Sequence, residues 1–233
     1  MQSAAYTRYY QEELYPLQDS VLDCVATVDA ECYLTGGTVL AREYLQHRYS
    51  DDLDFFWNDS PRFRADVSGM LNALRAVFGE VDVLTTTPDF ARMVIRHKAL
   101  ELKLDCVNDV PWHSGDIVAG TVFSRVDNPL NILSNKLCAI SRSEAKDVVD
   151  IACIAQRWRY SWPDIVADAK RKDAWVDELA ISEYLLGFPE SRLQEIRWIT
   201  PVDSSRMLET IKRTARSLFA GADNVPGGGE VKR

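Results

Sequence analysis

The chain has 233 residues, of which 46% are hydrophobic, and a net charge of −8, an ordinary composition for a globular protein with room for a substantial core. No apolar run approaches the roughly 20 residues of a membrane-spanning helix, and the polar start MQSAAYTRYYQEELY lacks the apolar middle of a secretory signal. A soluble, cytoplasmic protein with no membrane partner is expected, and the acidic balance disfavours one that coats nucleic acid indiscriminately, although a local basic face remains open to it.

In chain order, Leu17, Val21, Val25 and Val28 recur at helical spacing after Pro16, a residue suited to a first turn. The short apolar run Cys32-Tyr33-Leu34 leads into Gly36-Gly37-Thr38, and i,i+4 apolar pairs from Thr38 to about His47 predict a helix. Leu53 to Trp57 reads as an aromatic-rich strand. Residues 62–78 are helical, with Val67, Met70, Leu71, Leu74 and Val77 on one stripe. Strands are expected at 81–85, 91–96, 99–107 and 120–126. After Asn128-Pro129 helical pattern dominates, at 130–141, 144–157 and onward to 219, with Ser161 as a cap and Pro163 in a first turn. Five scattered cysteines without CxxC spacing argue against a zinc site or a disulfide framework and read as small buried hydrophobes. The reading is an α+β chain. A mixed-sheet core with an N-terminal helix occupies 1–128, a helical domain that completes the site occupies 129–222, and a flexible tail occupies 223–233.

Three clusters carry chemistry. Asp52-Leu53-Asp54 places two carboxylates on one side of a strand, roughly 7 Å apart along it, as hard oxygen donors suited to magnesium. Leu100 to Asp105 alternates almost strictly, so Asp105 shares a face with Glu101 and Lys103 and stands as a third ligand for a two-ion site or as a general base. Gly36-Gly37-Thr38 permits close backbone approach to phosphate at the start of a helix, and no Walker loop is present. Beyond Pro129 come Asn135-Lys136-Leu137, Arg142, Lys146-Asp147 and Asp150. Lys146 and Asp150 stand four apart on a helix, a pairing worth only about 0.2–0.5 kcal/mol. Lys136, Lys146 and Arg142 are therefore candidates for neutralising a triphosphate. Lys170-Arg171-Lys172, Arg206, Lys212, Arg213 and Arg216 are either a basic face for nucleic acid or solvated helix surface.

Together, Tyr33 to Thr38, Arg48 to Phe55, Asn135-Lys136-Leu137 and Arg142…Lys146-Asp147…Asp150 resemble the AbiEii/AbiGii toxin family of nucleotidyltransferases, over about residues 15–155. The resemblance implies a polymerase-beta-like core and transfer of a nucleoside monophosphate from a nucleoside triphosphate to an acceptor. It implies magnesium, in two ions, on Asp52 and Asp54 with Asp105 nearby, and catalytic support from Lys136 and Lys146. Gly36, Gly37, Thr38, Arg48, Arg142, Asp147 and Asp150 would form the nucleotide site. A tRNA 3′ end is the acceptor similar toxins suggest, translation and growth being inhibited in consequence, with an AbiEi-type antitoxin as partner. The alternatives are a small-molecule nucleotidyltransferase of the antibiotic-modifying kind and a non-catalytic binding subunit of the same fold.

Overall fold

The structure, a computed structural model, describes residues 6–226. The described residues divide into two compact units: 6–111 with 116–128, and 112–115 with 129–226.

The first unit is built on a five-stranded mixed sheet of order β1-β2-β5-β4-β3. Its strands are β1 (Tyr33–Thr35), β2 (Leu53–Asn58), β3 (Val81–Thr86), β4 (Phe90–His97) and β5 (Leu100–Asp109). β2 runs parallel to β5, and the other pairs are antiparallel. Strict alternation makes β2 a half-buried strand: Leu53, Phe55 and Trp57 are buried, while Asp54, Phe56 and Asn58 are partly exposed. Leu102, Leu104, Ala91, Met93 and Ile95 continue the core on β5 and β4, each large side chain stabilising the unit by about 1.5–3 kcal/mol.

Helix α1 (Tyr15–Ala26), preceded by a π-helical turn at Tyr9–Leu14, buries Leu17, Val21, Leu22 and Val25. Helix α2 begins on the glycines themselves, at Gly36–Val39, and widens into a π-helical stretch, Leu40–Leu45, that ends where Gln46 turns left-handed. Helix α3 (Phe63–Phe78) lies against β3 and β4 and against α1. Asp66 on α3 is buried, accepting hydrogen bonds from Trp57 Nε1 (3.0 Å) and Glu31 N (2.9 Å), with Arg62 beside it at 3.4 Å. A polar residue replaces part of the expected apolar stripe: Met70 and Leu74 are buried with Phe63, whereas Val77 is 63% exposed and Val67 and Leu71 are intermediate.

The strand expected at 120–126 does not form. Only Val126 makes isolated bridges, to Leu34 and Val118. The amides of Thr121 and Val122 donate instead to the carboxylate of Glu43, at 2.9 and 3.0 Å, so a side chain supplies the acceptor that a neighbouring strand would have offered.

The second unit contains α4 (Pro129–Ala139) with a 3₁₀ turn to Arg142, α5 (Ala145–Arg157), α6 (Trp162–Lys172), α7 (Glu178–Leu186) and α8 (Ser204–Phe219). α4 packs on α5 and α6, α5 on α8, and α7 on α8. Met207, Ile211, Ala215 and Leu218, with the buried hydroxyls of Thr210 and Thr214 among them, form the buried edge of α8. Ser161 stands at the α6 N-cap position without making the side-chain bond expected of it, and Pro163 occupies the first turn. Asp177 and Asp203 do cap α7 and α8 through their side chains. The pairing of β6 (Tyr160–Ser161) with β7 (Asp223–Asn224) gives order to the first two residues of the expected tail. Residues 227–233 of that tail lie outside the described residues. Asn224 is held there because its Nδ2 donates to Ala155 O (2.8 Å) and Trp158 O (2.6 Å).

All five cysteines are reduced, and Cys24, Cys32, Cys106 and Cys153 are buried. Among the described residues no helix is long and apolar enough to cross a membrane.

Candidate active site

Four residues form one row across the sheet: Thr35 on β1 pairs with Asp54 on β2, Asp54 with Asp105 on β5, and Asp105 with Arg92 on β4. Register partners project from the same face, so the parallel pairing of β2 with β5 is what brings the two aspartates together. Two residues before this row on each segment stand Asp52, just ahead of β2, and Lys103 on β5. Lys103 Nζ lies 2.9 Å from Asp52 Oδ2 and 3.9 Å from Asp105 Oδ2.

The glycine turn closes on this row. Gly36 has a φ of +73°, and a Cβ placed on it would lie 2.3 Å from Asp54 Oδ2. Both facts require glycine: the left-handed backbone disfavours any other residue, and the space is filled by the carboxylate. Gly37 has a parallel constraint, since its Cβ would fall 2.6 Å from an Arg48 Nη atom. Arg48 is buried, with Nη1 donating to Tyr49 O at 2.9 Å.

The segment leading into the acids is fixed by side chains from α1 and α2. Gln18 Nε2 donates to Ser50 O and Asp51 O, both at 3.1 Å. Thr38 Oγ1 bonds Ser50 Oγ (3.0 Å) and donates to Asp52 O. Tyr10 stacks on Tyr49 at 4.2 Å, and its hydroxyl donates to Asp51 Oδ1. Thr38 thus acts on the backbone of the acidic segment, a role not read from the sequence.

Cations answer the acids. Arg92 grips Asp105 in fork fashion, Nε to Oδ1 at 2.7 Å and Nη2 to Oδ2 at 2.8 Å, the geometry that makes guanidinium–carboxylate pairs strong. The hydrogen bonds to Asp105 hold the Arg92 guanidinium above its ordinary range, outweighing desolvation. Burial pushes the Lys103 ammonium down, but Asp52, then Asp105 and Asp54, more than offset this and hold it above its usual range. Both side chains are therefore charged at neutral pH. Neither had been given a role from sequence, although alternation along 91–96 and 99–107 already put both on the outward-facing positions.

Asp105, the third acid expected beside the pair, stands in register with Asp54 and accepts hydrogen bonds from Arg92. Among the described residues no group of three or more His, Cys, Asp or Glu side chains is placed to hold a metal ion, and both oxygens of Asp105 are engaged by Arg92. Asp52 and Asp54 remain as a pair of hard oxygen donors, one on each side of the fully buried Leu53. Magnesium takes one or two carboxylates together with waters and substrate phosphates, so this donor set fits it without a third acid.

The helical unit accounts for its own charges. Lys136 Nζ donates to Asp147 Oδ1 (2.5 Å) and lies 2.8 Å from Asp150 Oδ2, and all three are buried. Lys146, four residues before Asp150 on α5, is exposed and pairs with Glu144 at 3.3 Å, while Asp150 is fully buried. Arg142 is exposed at the end of the 3₁₀ turn. Within the basic run, Lys172 Nζ donates to Asn131, Ser134 and Asn135, Lys170 pairs with Glu178, and Arg171 stacks over Trp112 at 3.8 Å.

A cavity of about 440 Å³ lies between α3 and β3–β4, lined mainly by apolar groups such as Phe63, Val67, Leu71 and Met93, and touches none of the acids.

Residues 21–221 match the family model described as "Nucleotidyl transferase AbiEii toxin, Type IV TA system", a span that runs well past the motifs ending near residue 155. Two solved structures share the fold. JHP933 from Helicobacter pylori aligns with a TM-score of 0.65 at 16% identity, over 89% of this chain and 93% of that one. A second H. pylori protein, provisionally assigned as a nucleotidyltransferase, aligns with a TM-score of 0.63 at 15% identity, over 89% and 96%. No curated protein sequence matches the chain.

Proposed function

The chain belongs to the AbiEii family of nucleotidyl transferase toxins of type IV toxin–antitoxin systems, and from that premise we propose that it transfers a nucleoside monophosphate from a triphosphate to the 3′ end of a tRNA, in the cytoplasm, arresting translation and growth. The observation that carries the chemistry is the closure of the Gly36 turn onto Asp54, beside Asp52, on one face of the sheet. The family implies a nucleoside triphosphate substrate and an antitoxin partner.

In the proposed reaction an acceptor hydroxyl oxygen bonds to the α-phosphorus, the bond from that phosphorus to the bridging oxygen breaks, and pyrophosphate leaves. Such transfers need positioning and charge stabilisation more than covalent help. Asp52 and Asp54 are the residues that would hold magnesium, which supplies charge neutralisation at the phosphates. The Gly36-Gly37 turn, packed against Asp54 and Arg48 at the start of α2, would bind the triphosphate, with buried Arg48 adding positive charge. Arg92 uses one acceptor site on each oxygen of Asp105, and a carboxylate has about four, so Asp105 retains capacity to receive the proton of the attacking hydroxyl. In this proposal Lys136 and Lys146, each ion-paired within the helical unit, remain the candidate cations for the triphosphate and the leaving pyrophosphate.

One observation favours a second reading, transfer to a small molecule. The chain is acidic, and its most basic run is tied to neighbouring side chains. Incubation with each labelled triphosphate in turn and total cellular RNA separates the two. Label in tRNA supports the first reading, and label confined to small molecules supports the second. Absence of transfer with all four triphosphates overturns both. Asp52→Ala is expected to abolish transfer and growth inhibition with the fold retained, and a fully toxic variant would remove Asp52 from the site.

A further inference from the structure

Lys103 has a position that nothing in the proposed chemistry uses. It stands on β5 beside Asp105, yet its ammonium reaches across to β2 and sits 2.9 Å from Asp52 Oδ2. Its side chain is 35% exposed and that of Asp52 29%, so the pair lies at the mouth of the site and is accessible to solvent and solutes. Arg92 holds both oxygens of Asp105, and the longer contact from Lys103 to Asp105, 3.9 Å, makes Asp52 its principal partner. A monovalent cation is therefore built into the place beside Asp52 where an added cation would come to rest.

We propose that Lys103 is a resident counter-cation that competes with a divalent ion for Asp52 and so makes metal binding depend on nucleotide. Without nucleotide, an ion approaching Asp52 and Asp54 must either displace the ammonium or tolerate a like charge a few ångströms away, which weakens its binding. A triphosphate changes the balance, because it brings oxygens of its own for the ion and gives Lys103 another anion to pair with. Metal and nucleotide then bind together, and the protein alone holds little metal. This inference rests on the reading of Asp52 and Asp54 as the metal pair.

The test is a titration of Mn²⁺, followed by the loss of its free paramagnetic signal, on the full chain as wild type, Lys103→Gln, Lys103→Arg and the double variant Lys103→Gln/Asp52→Asn. Without nucleotide, Lys103→Gln is expected to bind Mn²⁺ about tenfold more tightly than wild type, because a neighbouring positive charge has gone, while Lys103→Arg stays near wild type. Adding a triphosphate analogue that cannot be cleaved between its α- and β-phosphates is expected to tighten wild type much more than Lys103→Gln. Equal or weaker binding by Lys103→Gln would overturn the competition. Tight binding that survives in Lys103→Gln/Asp52→Asn would place the ion elsewhere and overturn the metal pair as well. A failure of every protein to bind Mn²⁺ even with the analogue would have the same result. Circular-dichroism melting of each variant confirms that the comparison is between folded proteins.

Discussion

Asp54 and Gly36 meet so closely that the carboxylate occupies the space where any side chain at position 36 would begin, 2.3 Å from an added Cβ. Gly36→Ala must either push Asp54 off the row it shares with Asp105 or rebuild a turn whose φ is +73°. The backbone strain alone is about 1–3 kcal/mol. Transfer is expected to fall by more than tenfold, with a lowered melting temperature. A Gly36→Ala enzyme with wild-type initial rates would refute the tie between turn and acid.

Asp54→Asn keeps the size of the side chain and removes its charge. Because Asp54 is only partly buried, the fold is expected to survive, while kcat/KM falls by about a hundredfold or more, the scale on which single electrostatic groups act in such sites. Labelled-triphosphate assays and melting curves on the same preparation separate loss of function from loss of structure.

Arg92 and Asp105 form a two-point pair whose arginine is 39% exposed, so solvent weakens it and a coupling of only about 1 kcal/mol is expected from a double-mutant cycle in urea. In transfer assays the cycle should be strongly non-additive, since each single variant, Arg92→Met or Asp105→Asn, already breaks the row. Additive losses in rate would mean that the two side chains act separately.

Lys136→Met leaves Asp147 and Asp150 buried without their principal cation. Removing one partner of a buried ion pair costs about 3–5 kcal/mol, and the urea midpoint should drop accordingly. Lys146→Met removes only an exposed contact to Glu144 and should change stability by less than about 1 kcal/mol. Equal effects from the two substitutions would contradict the difference in burial.

Glu43 gives a pH dependence. Burial pushes its carboxyl up, but the amide of Val122 and the hydroxyl and amide of Thr121 outweigh this and hold it below the usual carboxylate range. A lowered folded-state pKa contributes stability that is fully present above the unfolded value, about 4.3, and is lost as pH falls through the folded value. The difference in melting temperature between wild type and Glu43→Gln should therefore be constant near neutrality and shrink below about pH 4. A difference that grows in acid would reverse the sign.

The sequence made the sheet face legible because alternation is a local signal: Leu53 against Asp54, and Leu104 against Asp105, state which side each residue takes. It did not disclose that Arg92 lies opposite Asp105, because strand pairing is set by packing between segments far apart in the chain. The same limitation hid the burial of Lys136. Its spacing within α4 is that of an ordinary helix, and only the arrival of α5 brings Asp147 and Asp150 to it. The supposed strand at 120–126 failed for a related reason, a distant carboxylate having claimed its amides.

The order of the sheet also bears on synthesis. β2 leaves the ribosome early, but its parallel neighbour β5 comes only after α3 and two further strands, and pairings between such separated segments form late because a long loop must close first. A nascent chain that stops short of Leu100 therefore carries Asp52 and Asp54 on an incomplete edge. The pairing of Asp54 with Asp105 is completed only once translation has passed β5.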